Sequence, residues 1–127
     1  MTPQSAGMDL TIILDKTITI NPGEVRILNT GLSIQMPHNM EAQMRPRSGL
    51  SLKYPNYIAN SPGTIDADYR GEIMIPFVNH TQMFALIEHG MRIAQIIFSR
   101  VVHIKITEVE ELSQTKRGSG GYGHTGI

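Results

Sequence analysis

Met40-Glu41-Ala42-Gln43-Met44-Arg45 decides the fold, because its apolar and polar side chains alternate one by one. A period of two puts Met40, Ala42 and Met44 on one face of an extended strand and the polar residues on the other. The pattern recurs upstream, where Leu32, Ile34 and Met36 alternate with Gly31, Ser33 and Gln35. Downstream, Val102, Ile104 and Ile106 alternate with His103, Lys105 and Thr107. Both stretches predict half-buried strands. Ile73–Val78 and Ile93–Phe98 are shorter, denser apolar runs that suit strands covered on both faces.

Turn chemistry separates these runs at Asn21-Pro-Gly, Met36-Pro-His-Asn, Ser61-Pro-Gly and Arg70-Gly. Only Ser48–Tyr54 reads as helical, with Ser48 as its cap and Pro55 as its stop. Many short strands with almost no helix predict an all-β chain, a jelly-roll-like sandwich or barrel with one short helix. At 127 residues, 40% of them apolar and 17% charged, the chain is one globular domain's worth.

Eleven basic residues balance eleven acidic ones, so overall charge offers no attraction to a nucleic-acid polymer or an anionic membrane. With no cysteine, thiolate nucleophiles and Cys-ligated zinc are excluded, and the composition fits a reducing compartment. The first residues lack the pattern of a signal peptide, and no apolar run reaches the roughly 18 residues that span a bilayer. A cytoplasmic protein is expected. The five histidines lack metal-ligand spacing.

Several polar stretches have the makings of a site. Asp9 sits in Ala6-Gly-Met-Asp-Leu10, beside a strand start. Arg45-Pro-Arg-Ser-Gly-Leu-Ser-Leu-Lys53 puts arginine, serine and glycine at the start of the helix, where a guanidinium and free amides favour anions. Asp66 and Asp68 lie two apart, so in a strand they would share one face, within Gly63-Thr-Ile-Asp-Ala-Asp-Tyr-Arg-Gly-Glu72. After Glu111 the strand pattern stops, and Ser113–Ile127 carries five glycines. That composition reads first as a disordered terminus, and more sharply as a segment that orders over an anionic ligand with its amides turned inward.

Taken together, these stretches resemble the trimeric dUTP pyrophosphatase (dUTPase) family along residues 5–126. Ala6–Leu10 looks like its first motif, Pro46–Ser51 its second and Asn60–Gly71 its third. Gly90-Met-Arg-Ile-Ala-Gln95 is similar to the fourth, and Arg117-Gly-Ser-Gly-Gly-Tyr-Gly-His-Thr-Gly126 to the fifth. The resemblance implies a jelly-roll body over residues 1–112 and a flexible arm over 113–127 that closes over a neighbouring subunit's active site. It implies a Mg²⁺-dependent homotrimer with shared sites that hydrolyses dUTP to dUMP and pyrophosphate. Such an enzyme limits uracil in DNA and supplies dUMP for thymidylate synthesis.

Roles follow motif by motif. Asp66 would be the base that orients water for in-line attack on the α-phosphorus. Asn60, with the hairpin backbone at Gly63, Thr64 and Ile65, would read uracil, and Tyr69 would stack on deoxyribose and exclude a 2′-hydroxyl. Arg47, Ser48, Gly49 and Gln95 would hold phosphate oxygens. Arg117, Ser119, Gly121 and Thr125 would clamp the distal phosphates, with Tyr122 covering the base. Asp9 would meet Mg²⁺ through water. Arg92 is expected behind the site, paired with a buried acid, and Asp68 is read as structural. Tyr122 stands where the family usually has phenylalanine, and His124 where serine is common. A related deaminase of dCTP shares the fold but runs longer and needs a further acid. A nucleotide-sensing module without catalysis would have lost the base or the arm.

Overall fold

Strand pairing in this chain is nested. The computed structural model describes residues 2–55, 57–122 and 124. Its strands are β1 (Gly7–Thr11), β2 (Ile18–Ile20), β3 (Val25–Asn29), β4 (Met40–Pro46), β5 (Gly63–Ile65), β6 (Met74–Val78), β7 (Ala85–Ile87) and β8 (Arg92–Arg100), with helix α1 (Ser48–Ser51) after β4. β1 pairs with β8, β2 with β7, β3 with β6 and β4 with β5, each pair antiparallel. The chain is thus a long ribbon doubled on itself, the wiring of a jelly roll. β8 also pairs with β4, giving a four-stranded sheet in the order β1-β8-β4-β5.

The alternation in β4 is realised: Ala42 and Met44 are buried, Met40 is half-buried and Arg45 is exposed. Across the ladder Ala42 meets Phe98 of β8 on one side and Ile65 of β5 on the other. Tyr57, Phe77, Ile20, Ile75, Ile87 and Ile93 lose all their exposure in the core between the sheets. Burial of side chains this large, at about 25 cal/mol per Å² of apolar surface, is the main force closing the ribbon. Buried Asn79 is fully used: its Nδ2 donates to the carbonyls of Ile20 and Met83, and its Oδ1 accepts from Thr81.

Three expectations are corrected. Residues 31–36 form no strand; Met36 is buried and Ile34 half-buried, yet the segment has no ladder, only single bonds such as Ile73 N–H to the Leu32 carbonyl. Residues 102–107 form none either, and Val102, Ile104 and Ile106 stand 82%, 76% and 85% exposed. Their pattern asks for a partner strand that the described residues of this chain do not supply. Finally, Ser48 is not the helix cap. Arg47 holds that position in extended geometry, no side chain caps the turn, and the helix ends at Ser51, before Pro55.

Candidate active site

The ladder β1-β8-β4 brings the first, second and fourth motifs together. Asp9 lies opposite Gln95, and Arg45 lies opposite the same glutamine from the other side. Gln95 Nε2 donates to the Pro46 carbonyl at 2.9 Å and so holds the chain where it turns into α1. Gly7 is small for a reason, since a Cβ there would collide with the Gln95 side-chain oxygen. Next to Pro46, the Arg47 amide donates to Tyr57 Oη at 2.7 Å, and that hydroxyl donates to the Ile93 carbonyl at 2.5 Å. Burial pushes the Tyr57 phenol above its ordinary pKa, against the bond and charge of Arg47, so it stays a neutral donor.

The Arg47 guanidinium grips Asp9 with two bonds, Nε to Oδ1 at 2.7 Å and Nη2 to Oδ2 at 3.2 Å. Its Nη1 donates to the Arg92 carbonyl, while Arg92 Nη1 reaches Asp9 Oδ2 at 3.1 Å. Burial works to raise the Asp9 carboxyl, but the bonds and charge of Arg47, and then of Arg92, outweigh it and hold the group below the usual carboxylate range. Arg92 does pair with an acid, as expected, but not a buried one: the Asp9 side chain is 31% exposed and that of Arg92 61%. Asp9, Arg47, Ser48, Gly49, Gln95 and Lys53 surround a cavity of about 390 Å³. Its cations outnumber its one acid, which suits a polyanion.

A second cavity of about 200 Å³ lies at the β5 hairpin, lined by Asn60, Gly63, Thr64, Ile65, Asp66 and Tyr69 among others. The Asn60 amide folds over Gly63, where a Cβ would come within 3.0 Å of Nδ2. The Tyr69 ring rests on Gly71, where a Cβ would stand 2.5 Å from Cζ, and its hydroxyl donates to the Glu72 carbonyl at 2.9 Å. Asp66 is exposed at the cavity edge and makes no ion pair among the described residues. A carboxylate without a partner, beside an aromatic face and a polar hairpin, can accept a proton from water while a flat ring system is held.

The two cavities share no lining residue. One chain therefore carries the polyanion half and the acid-and-aromatic half separately. Among its described residues the fifth motif joins neither. Among the described residues its hydrogen bonds stay local: Gly118 N–H to the Thr115 carbonyl, Gly120 N–H to Arg117, Arg117 Nε to Gly120 and His124 N–H to Gly121. Ser119, Gly121 and Tyr122 are exposed, while Thr125 and Gly123 lie outside the described residues. Among the described residues, no group of three histidines or acids is placed to hold a metal, and no helix is long and apolar enough to cross a membrane.

Lys53, Tyr57 and Glu72 were missed as site residues from sequence. Lys53 closes the basic stretch Arg45–Lys53, and its charge beside Arg47 is the signal that points to it. The Tyr57 hydroxyl and the Glu72 carboxylate carry little local signal, since Ile93 on the one hand and Asn29 and Gly31 on the other lie far along the chain.

A family model described as dUTPase matches residues 1–126. A deoxyuridine 5′-triphosphate nucleotidohydrolase of Caldanaerobacter subterraneus subsp. tengcongensis is 50% identical over 127 residues, all of this chain and 86% of that protein. In fold the chain is similar to the dUTPase of Staphylococcus bacteriophage 80alpha with dUPNHPP, at a TM-score of 0.83, 24% identity, and coverage of 100% of this chain and 89% of that one. A mutant dUTPase from phage phi11 of S. aureus is also similar (TM-score 0.77, 20% identity, 88% of each chain), and its description names a structural Mg(II) ion.

Proposed function

This chain belongs to the dUTPase family and splits dUTP into dUMP and pyrophosphate, and we propose that it does so with Asp66 as the base in a site completed by neighbouring chains. The observation that carries the proposal is the division of the motifs between two separate cavities. A nucleotide has a base-and-sugar end and a triphosphate end. Two chains side by side supply both to one ligand.

In the hairpin cavity, the Asn60 amide can accept from uracil N3–H and donate to O4, with the backbone of Gly63, Thr64 and Ile65 around it. The Tyr69 face leaves no room for a 2′-hydroxyl. Asp66 orients a water for in-line attack on the α-phosphorus and takes its proton as the P–O bond to the β-phosphate breaks. An acid suffices, since the water needs only to be held and polarised while cations carry the phosphate charge. Across the subunit boundary, Arg47, Ser48, Gly49 and Gln95 meet phosphate oxygens. For that, Arg47 must exchange Asp9 for phosphate.

A caged metal does not fit, because the described residues offer no cluster of three acids or histidines. A hydrated ion carried in by the triphosphate fits, with Asp9 accepting hydrogen bonds from its waters. Bound there, Mg²⁺ would screen the phosphate charge.

Residues 1–112 form the body and 113–127 the arm. Val102–Thr107 leaves Val102, Ile104 and Ile106 exposed and is joined to its own body by few bonds: His103 Nε2 meets the His38 carbonyl, and the preceding Val101 N–H donates to the Asn39 carbonyl. Laid against a neighbour, it would bury those side chains and carry Arg117, Ser119, Gly121, Tyr122 and Thr125 toward a third chain's nucleotide. That arrangement supports a homotrimer. A free nucleotide as substrate supports action in the cytoplasm.

Pyrophosphate release from dUTP, dTTP, dCTP and UTP tests the reading, with dUTP expected to dominate. Asp66→Asn should leave dUTP affinity within a few-fold and lower turnover by roughly 10²–10⁴. Turnover above about a tenth of the parent would remove Asp66 from the base role.

A further inference from the structure

Tyr69 does not stand alone. Its hydroxyl donates to the Glu72 carbonyl at 2.9 Å, its own amide donates to the Asp66 carbonyl at 3.2 Å, and its ring lies against Gly71. Glu72 is in turn held from the end of β3 and the segment after it: Oε1 accepts the Gly31 amide at 2.7 Å and Oε2 accepts Asn29 Nδ2 at 3.3 Å. Gly31 has φ +69°, a left-handed backbone that presents its N–H to the carboxylate, and a Cβ there would strike Ile13. Glu72 itself is half-buried and lines the hairpin cavity as well as its neighbour beside β3.

We propose that Glu72 is a specificity-determining positioning residue: its carboxylate ties the end of β3 to the loop carrying Tyr69, and so fixes how close the ring stands to the sugar. The inference rests on Tyr69 being the residue that excludes the 2′-hydroxyl. A steric wall discriminates only as well as it is held. A ring free to retreat by the width of a hydroxyl admits the ribonucleotide. Gly71 blocks retreat toward the backbone, and the bond to Glu72 blocks rotation away from the cavity. The carboxylate bonds keep that carbonyl from drifting.

The test compares kcat/KM for dUTP and for UTP in the full chain bearing Glu72→Ala, Glu72→Gln, Glu72→Asp, Tyr69→Phe or Tyr69→Ala. A group that only supported the fold would change both constants in parallel and leave their ratio alone. Glu72→Ala and Tyr69→Phe should each lower the dUTP/UTP ratio about tenfold, within the range for losing one steric contact. Glu72→Gln keeps an acceptor for the Gly31 amide and should restore most of the ratio, whereas the shorter Glu72→Asp should not. The Tyr69→Phe, Glu72→Ala double variant should lose no more than about either single one, since both break the same tether. If Tyr69→Ala collapses the ratio while Glu72→Ala and Tyr69→Phe keep the parent value, the tether is overturned and the sugar wall stands. If Tyr69→Ala also leaves the ratio unchanged, the wall fails and the tether with it. Should Glu72→Ala not fold, Tyr69→Phe and Glu72→Gln still decide: a parent ratio in Tyr69→Phe, or no rescue by glutamine relative to Glu72→Asp, counts against the proposal.

Discussion

Asp9 is the acid on which two arginines converge. It accepts from Arg47 and Arg92, which hold its pKa below the ordinary value of 3.8. The folded pKa is depressed, so the pairing stabilises the fold at pH values above about 3.8, and that contribution is lost as pH falls through the lowered folded value. The group is largely solvated, so the effect on stability is small and the titration is the better readout. Carbon-13 NMR of the Asp9 carboxyl should give a midpoint below 3.8 in the parent and a higher one in Arg92→Gln, which loses a cation. An unmoved midpoint in Arg92→Gln would mean that Arg47 alone sets it. The acid and Arg47 were legible in the sequence as site residues. Their mutual pairing was not, because β1 and β4 meet only through β8.

At the scale of elements, α1 is a single turn with no side-chain cap, so something else must fix it. Tyr57 does, bonding the Arg47 amide on one side and the Ile93 carbonyl on the other from full burial. Tyr57→Phe leaves both groups short of a partner at a cost of about 1–3 kcal/mol, which urea unfolding should register. It should also raise KM for dUTP, because Arg47 and Ser48 follow directly. The arm makes the opposite case. It hydrogen-bonds only to itself among the described residues, so deleting Ser113–Ile127 should leave the melting temperature near the parent's. Activity should nevertheless drop by roughly 10²–10³, the loss usual when charge-stabilising donors go. A truncated enzyme running near the parent rate would end the functional reading of the fifth motif. Strands such as β4 and β8 were legible because the apolar side chains they bury are covered by the chain itself. Residues 102–107 carried the same period and misled, since periodicity reports a need for a partner and not where that partner is.

Across the whole molecule the same exposed segment becomes an argument about assembly. Val102, Ile104, Ile106 and Leu112 stand between 76% and 85% exposed, more apolar surface than a lone chain keeps in water without cause. Light scattering should give a trimer, retained when the chain ends at Leu112 and lost when it ends at Arg100. A monomer with full activity would refute the shared site.

The nested pairing carries a cost that falls on the ribosome. Ile96 sits between Met8 and Met44 in the closed sheet, so the first described strand waits for the last. At about 5–20 residues per second, that wait is roughly 4–18 s of synthesis. Until β8 emerges, β1 has no partner and β4 lacks one of its two, and the ribbon cannot close from its start. Contacts this distant along the chain also slow folding after release, into the millisecond-to-second range of β-rich domains. Half-made chains therefore expose apolar strand edges for seconds at a time. The cell must shield those edges, or lose nascent protein to aggregation, before any nucleotide is met.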